Sequence, residues 1–407
     1  MKKLLIGCCV VFLVAGCASQ PGKKSTTISA KERTELLVRY GYKPDVKIPA
    51  SLSQYELKLL QEGENGAVLN QMELGIRAFK MGEYVVAEQA LDFVLARIES
   101  VYADNENAKQ ARSLWYDEGR KDYKGEPYER AMAYYYRGLL YLMGAEYDNA
   151  RASFLGGLLQ DAFAEEDQHR SDFALLMFMA GWSAHLMGDE YLAKEAFDEL
   201  AQFRPDFRPP SRNQNVVVLV ETGFAPRKLA DGVGHYELVY RRGKQFTEHR
   251  TKLMLGSMKQ DLYPMEDVFW QASTRGGRTV DRIIEGKVQF RDTSESVGSA
   301  LSGVANQAVS VSSLFTNSAS VSGAASALSL IGVSSMIVAS KVNPRVDTRY
   351  CEALPDLVHV GMLSLSKAPT ATAKFYDQFN NEVPGLDVQA KVKRDSRGNG
   401  LLWISAR

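Results

Sequence analysis

The first half of the chain carries apolar residues at helical spacing, and three stretches of it share one arrangement of small and large side chains. In each stretch a glycine is followed by an alanine twelve residues later and by a leucine or phenylalanine sixteen residues later. Small residues let two helices approach closely, and a large apolar residue fills the space opposite. The pattern therefore predicts three helical hairpins. Their defining residues are Gly75, Ala87 and Leu91; Gly138, Ala150 and Phe154; and Gly181, Ala193 and Phe197.

These stretches resemble tetratricopeptide repeats, in which two antiparallel helices form a unit and successive units stack. The three copies begin 63 and then 43 residues apart, instead of about 34. Two insertions are therefore implied, near 104–127 and 161–172. A plain bundle of amphipathic hairpins is the alternative. The resemblance implies a TPR-like helical repeat domain over 31–210. Because repeats contact mainly their neighbours, residues 31–208 are expected to fold without the rest of the chain.

The composition changes near Arg208, and strand-like patterns follow. The apolar run from Asn215 to Glu221 predicts a buried strand. Residues 386–392 alternate apolar and polar side chains, as a half-exposed strand does. Residues 211–407 are therefore predicted to form an α+β domain with an antiparallel sheet. Further strands are expected at 236–240, 357–365, 371–379 and 401–405.

The stretch from Ser296 to Ser340 contains no charged residue and is rich in Ser, Ala, Gly and Val. We interpret it as a helical hairpin. It either packs against the sheet or forms a membrane-inserting hairpin or an oligomer seam. Leu, Ile and Phe, which favour membrane insertion, are sparse in it, and this favours the buried hairpin.

The N-terminus has two lysines and an apolar run that ends at Val14, the arrangement of an export signal too short to span a bilayer. The segment Leu13–Cys17 resembles the lipobox of bacterial lipoproteins. The resemblance implies removal of residues 1–16, acylation of Cys17 and, because Ala18 follows, transfer to the periplasmic face of the outer membrane. The polar residues 17–30 are expected to form a flexible tether.

Charge and composition narrow the possible functions. Lys plus Arg and Asp plus Glu both number 49, so nothing indicates a nucleic-acid-binding surface. The sequence shows no nucleophile elbow, phosphate-binding loop or His/Cys cluster at metal spacing, so we expect no catalytic activity, no metal and no cofactor. With Cys17 acylated and the signal removed, Cys351 has no disulfide partner and is expected to be a small buried hydrophobe.

Two stretches of the second half, Val217–Lys228 and Asp347–Pro355, carry a further resemblance. With the lipobox and the repeats, they are similar to an uncharacterised family of bacterial outer-membrane lipoproteins. Cys351 stands where the family pattern leads us to expect Trp. Members often lie beside genes for lipoprotein activators of penicillin-binding proteins, which implies a role in the envelope but assigns no chemistry. Asp347 and Arg349 either pair at a loop that enters the sheet or belong to a binding site.

The leading hypothesis is a non-catalytic scaffold or adaptor in cell-envelope assembly. The repeats would bind a protein or peptide partner in a concave groove, and the α+β domain would make a second contact, self-association among the options. The alternative is an accessory subunit of a secretion or surface-polymer export complex. The lipid anchor supplies the membrane contact. The candidate partner-binding residues are Tyr134, Tyr141, His185, Asp347 and Arg349.

Overall fold

The computed structural model describes residues 30–99, 122–162, 172–231, 237–243, 246–274 and 347–407. The export signal, Cys17 and the uncharged stretch 296–340 lie outside the described residues, so acylation and the location of that stretch stay predictions. Among the residues described, no helix combines the length and the hydropathy needed to cross a bilayer.

The described part of the first half is helical, and recognisable signals bound its helices. Gly82, with φ of 82°, ends α3 in the left-handed conformation that glycine adopts most easily. Pro127 and a capping box between Glu126 and Glu129 begin α5. The helices are α1 (Ala30–Arg39), α2 (Ser53–Glu62, after a 3-10 turn at Ala50–Leu52), α3 (Glu64–Met81), α4 (Tyr84–Glu99), α5 (Pro127–Met143), α6 (Tyr147–Ala162), α7 (Ala174–Met187) and α8 (Glu190–Phe203).

The predicted hairpins are α3–α4, α5–α6 and α7–α8, and each glycine of the pattern lies at the close approach of its two helices. A Cβ atom added at Gly75 would come within 3.0 Å of Leu91, and one at Gly181 within 2.9 Å of Phe197. At Gly138 the added atom would lie 2.3 Å from the Phe154 ring. The contact between the glycine and the residue sixteen positions later is therefore present in all three hairpins.

The second hairpin departs from the other two at its turn and at Arg137. Its turn is one residue longer and holds Ala145 at φ of 60°. Arg137 is buried where the repeat pattern has an apolar residue. Its guanidinium lies 2.6 Å from Asp92 and 3.0 Å from Glu88 on α4. These ion pairs join the first hairpin to the second and compensate the burial of the charge.

The described part of the second half forms strands and one short helix. Tyr263–Asp267 is a strand, and the helix Val268–Thr274 follows it directly. The elements are β1 (Val216–Thr222), β2 (Arg227–Asp231), β3 (Glu237–Arg241), β4 (Arg250–Leu255), β5 (Met258–Asp261), β6 (Tyr263–Asp267), α9 (Val268–Thr274), β7 (Leu357–Leu363), β8 (Thr370–Tyr376), β9 (Val388–Lys391), β10 (Lys393–Arg394) and β11 (Gly400–Ser405).

These strands form a five-stranded sheet of order β10-β11-β1-β7-β6, a four-stranded sheet of order β5-β4-β8-β9 and the separate pair β2-β3. The predicted antiparallel pairing is present with one exception. Strands β1 and β11 run parallel, with Val216 beside Gly400. The α+β class is therefore confirmed, and the sheet is mixed rather than purely antiparallel.

Both faces of β1 are covered, which explains its continuous apolar sequence. Val216, Val218 and Val220 pack with side chains of the four-stranded sheet, such as Phe375. Val217 and Leu219 belong instead to the cluster that contains the helices. The described parts of the protein thus form three layers: helices, the five-stranded sheet and the four-stranded sheet.

The helices and the five-stranded sheet share one hydrophobic core. The Phe79 ring of α3 lies 5.4 Å from Tyr136 of α5 and 5.2 Å from Trp403 of β11. This shared core removes the physical basis for expecting residues 31–208 to fold alone.

Candidate binding groove and the buried junctions behind it

The two candidate tyrosines on α5 are held by intramolecular contacts. Tyr134 is buried, and its hydroxyl donates a hydrogen bond to Glu99 over 3.0 Å. Tyr141 is half-buried and stacks under the guanidinium of Arg137, which lies 3.7 Å from the ring centre. Tyr134 therefore joins the first two hairpins, and Tyr141 packs on the arginine that pairs with the first hairpin.

His185, near the end of α7, is only partly buried. Its Nε2 lies 2.7 Å from the carbonyl oxygen of Gln214, and its ring lies 5.1 Å from that of Trp182. It also borders an open cavity of about 350 Å³ with Phe197 and Pro209. The structure thus gives His185 a neighbourhood separate from those of the two tyrosines.

Asp347 and Arg349 pair with each other. This is the first of the two alternatives from the sequence, a pair at a loop that enters the sheet. The guanidinium of Arg349 donates to both carboxylate oxygens of Asp347, at 2.8 to 3.1 Å. It also donates to the carbonyl oxygen of Asn65 in α3 and lies 5.3 Å from the Tyr123 ring centre. The pair therefore docks the segment before β7 onto the helices.

The two stretches that carry the family resemblance meet at this junction. Lys228 of β2 is buried and lies 2.8 Å from Glu126 at the start of α5. Burial lowers the pKa of Lys228, but the negative charges of Glu126 and Glu129 outweigh it and raise that pKa overall. The backbone N–H of Cys351 donates to Glu129 over 2.8 Å. A buried ion pair and a buried hydrogen bond therefore join a strand and a loop to the start of this helix.

Cys351 itself is buried, as predicted for a small hydrophobe. Burial raises the pKa of its thiol well above its ordinary value, and the neighbouring carboxylates of Glu73 and Glu129 add to this. A thiol in this environment is not ionised at neutral pH and is a poor nucleophile.

A second buried junction surrounds Glu221 at the end of β1. Its carboxylate accepts hydrogen bonds from the hydroxyl of Tyr136 over 2.7 Å and from Nε1 of Trp403 over 2.9 Å. Lys80 of α3 lies 3.8 Å away. Burial raises the pKa of Glu221, and the charge of Lys80 only partly opposes the shift. One side chain therefore connects two helices and two strands.

The buried carboxylates join segments that lie far apart in the sequence. Glu73, Glu129 and Glu221 each accept donors from segments distant in the sequence, and none of the three lines a described cavity of the chain. Within the described ranges, no group of three or more His, Cys, Asp or Glu side chains is arranged to hold a metal ion.

A recess runs along the turns of the hairpins. One cavity of about 480 Å³ is bordered by Leu142, Trp182 and Leu186 on the helices. A neighbouring cavity of about 490 Å³ is bordered by Phe79 and Tyr84. We call the two together the turn groove. The two cavities adjoin, because both are lined by Met143, Lys391, Val392, Lys393 and Leu401.

The wall of the turn groove opposite the helices is the segment 388–395, which contains β9 and β10. Its basic side chains Lys391 and Lys393 are exposed. The Nζ atom of Lys393 lies 4.1 Å from the ring centre of Tyr84. Asp395 is already engaged, because it accepts a hydrogen bond from the Tyr147 hydroxyl over 2.6 Å. The groove therefore combines an apolar floor with a basic wall.

Sequence reasoning missed this groove. The signal that could have found it is the short run Lys391-Val392-Lys393-Arg394, in which exposed cations flank a buried valine. What the sequence does not show is that this run faces the hairpin turns. Comparisons of this chain with protein-family models, with curated proteins and with solved structures each found no match.

Proposed function

We propose that the protein is a non-catalytic adaptor, anchored by acylated Cys17 on the periplasmic face of the outer membrane, that binds a protein or peptide partner in the cell envelope. The lipobox resemblance and the polar tether after it support the anchor. The observation that carries the binding role is the turn groove, an open recess with an apolar floor and a few charged side chains, as binding sites commonly have.

We further propose that the helical hairpins are divergent tetratricopeptide-like repeats. The support is the contact between each glycine and the residue sixteen positions later, which all three hairpins share. In such an array the first helices of the units would offer a concave surface to a partner. Here α5 and α7 are almost entirely buried, and α5 packs on the five-stranded sheet. The partner is therefore assigned to the turn groove instead.

The buried junctions support an adaptor in a second way. They hold the helices and the sheets in one arrangement through ionic contacts such as Lys228 with Glu126. Removing one partner of a buried pair is strongly destabilising, so such contacts keep the relative position of the elements well defined. A groove built between those elements keeps its shape, which lowers the entropic cost of binding. The export-complex alternative depends on the stretch 296–340, outside the described residues.

The test uses site-specific photo-crosslinking of the full chain in intact cells. p-Benzoylphenylalanine replaces Gln389, an exposed residue that borders the groove, or Lys259, an exposed residue on β5 at the opposite edge of the same sheet. We expect one discrete adduct from position 389 and none from position 259, and the adduct should re-form with purified partner.

Equal adducts from both positions, or none, would contradict the assignment of the groove. An adduct with a second copy of this chain would indicate that the groove serves self-assembly and not the binding of a different protein. Degradation of isolated sacculi by the purified protein would contradict the non-catalytic role.

A further inference from the structure

We propose that the turn groove binds an extended acidic peptide segment, with an apolar side chain of that segment inserted beside Trp182. This inference rests on the adaptor function and specifies the chemistry of the partner. It follows from three independent features of the groove: the strand edge that borders it, the imbalance of its charges and the apolar lining of its floor.

The strand edge indicates an extended peptide. β9 is an outer strand of the four-stranded sheet and β10 an outer strand of the five-stranded sheet. No strand of the described ranges pairs with their outer edges. The eight consecutive residues 388–395 line the groove along its length. An extended peptide can add backbone hydrogen bonds to such an edge while its alternate side chains enter the cavities.

The charges indicate that the peptide is acidic. The groove is bordered by five basic residues and by Asp395, and most of these have intramolecular partners. Lys80 lies near Glu221, Arg407 pairs with Glu248, and Arg394 donates to backbone carbonyl oxygens such as that of Lys367. In contrast, no carboxylate of the described residues forms an ion pair with Lys391 or Lys393.

Lys393 would gain most from an anion. Among the described residues, its ammonium group interacts with Tyr84, through a hydrogen bond to the hydroxyl and a position over the ring. Desolvation by the surrounding protein lowers the pKa of Lys393. A carboxylate placed next to it would offset this cost, because an opposite charge within a few ångströms favours the charged form. Acidic side chains of the peptide are therefore the complementary partners of this wall.

The floor of the groove supplies a place for an apolar side chain. Trp182 is fully buried and borders the cavity of about 480 Å³ together with Leu142 and Leu186. An apolar side chain of the peptide would fill this cavity and extend the apolar contacts of its floor.

The experiment measures fluorescence anisotropy of a labelled octapeptide of alternating Glu and Leu, titrated with the purified full-length protein in non-ionic detergent. A second octapeptide carries Lys at each Glu position. The first comparison covers three proteins: the unmodified chain, the double variant Lys391→Glu and Lys393→Glu, and a control double variant, Lys47→Glu and Lys259→Glu. The control makes the same change in net charge at exposed lysines elsewhere.

We expect the Glu peptide to bind and the Lys peptide not to bind. Charge reversal in the groove should lower the affinity for the Glu peptide about tenfold or more. The affinity of the control variant should stay within about twofold of that of the unmodified chain. The conservative double variant Lys391→Arg and Lys393→Arg should retain binding, which separates loss of charge from loss of fold.

Three results would overturn the proposal: equal binding of both peptides, binding that survives charge reversal in the groove, or binding to anionic phospholipid vesicles that depends on Lys391 and Lys393 while the Glu peptide does not bind. The last result would assign the basic wall to a membrane surface. If the photo-crosslinked partner at position 389 persists in the charge-reversed variant, the adaptor function stands and only the acidic-peptide inference fails.

Discussion

Glu266 offers the sharpest test of how buried acids act in this fold. It lies in β6 with its side chain fully buried, and it accepts hydrogen bonds from the backbone N–H of Leu175 and from Nε2 of Gln271, both over 3.1 Å. Arg204 approaches only to 3.8 Å. Burial raises the pKa of Glu266 to about 8, and the charge of Arg204 opposes this only in part. The folded protein therefore holds this carboxyl protonated at neutral pH.

The sign of the resulting pH effect follows from comparing the folded and unfolded states. The ordinary pKa of Glu266 is 4.5, so between pH 4.5 and about 8 the folded state binds more protons than the unfolded state. The contribution of Glu266 to stability is complete below pH 4.5 and is lost as the pH rises towards 8. At roughly 1.4 kcal/mol per pKa unit, the full loss is on the order of 4 to 5 kcal/mol.

Glu266→Gln removes this titration and keeps the shape of the side chain. Its amide can still accept from Leu175, and its N–H₂ can donate to Oε1 of Gln271, which has no hydrogen-bond partner among the described residues. We therefore expect the free energy of unfolding of the variant, relative to the unmodified protein, to rise by roughly 1 kcal/mol per pH unit from pH 5 to 8.

Urea unfolding followed by circular dichroism at pH 5, 6, 7 and 8 measures this difference. The exposed Glu195→Gln on α8 is the matched control, and its curve should run parallel to that of the unmodified protein. A difference between Glu266→Gln and the unmodified protein that does not change with pH would refute the reasoning.

Three further perturbations test the packing and the anchor. Gly138→Ala should destabilise the protein by about 1–3 kcal/mol, because the new methyl group meets Phe154, and a second change, Phe154→Leu, should recover part of the loss in urea unfolding. Residues 30–208 produced alone should bind a hydrophobic dye and melt with low cooperativity, because the face shared with the sheet becomes exposed; a sharp transition without dye binding would contradict the shared core. Cys17→Ser should leave the protein uncleaved or soluble in the periplasm, and its recovery with carbonate-washed outer membranes would show another anchor.

Features carried by local spacing could be predicted from the sequence alone. Gly138 and Phe154 lie in adjoining helices, so their contact depends only on the helical period and a short turn. The continuous apolar run of β1 likewise indicated burial before any partner was known. The order of small and apolar residues is sufficient to predict the first feature, because its two residues lie close together in the chain. The apolar run is sufficient to predict the second, because a strand without polar positions is explained only by burial of both faces.

The tertiary structure decided which of these elements face each other. The parallel pairing of Val216 with Gly400, the ion pair of Lys228 with Glu126 and the position of Lys393 beside the hairpin turns all join residues far apart in sequence. No local pattern encodes such contacts, because they depend on which apolar surfaces are covered together when the whole core forms. For the same reason the sequence suggested a concave groove on the repeats. The five-stranded sheet packs on α5 instead, and the turn groove is an open recess beside it.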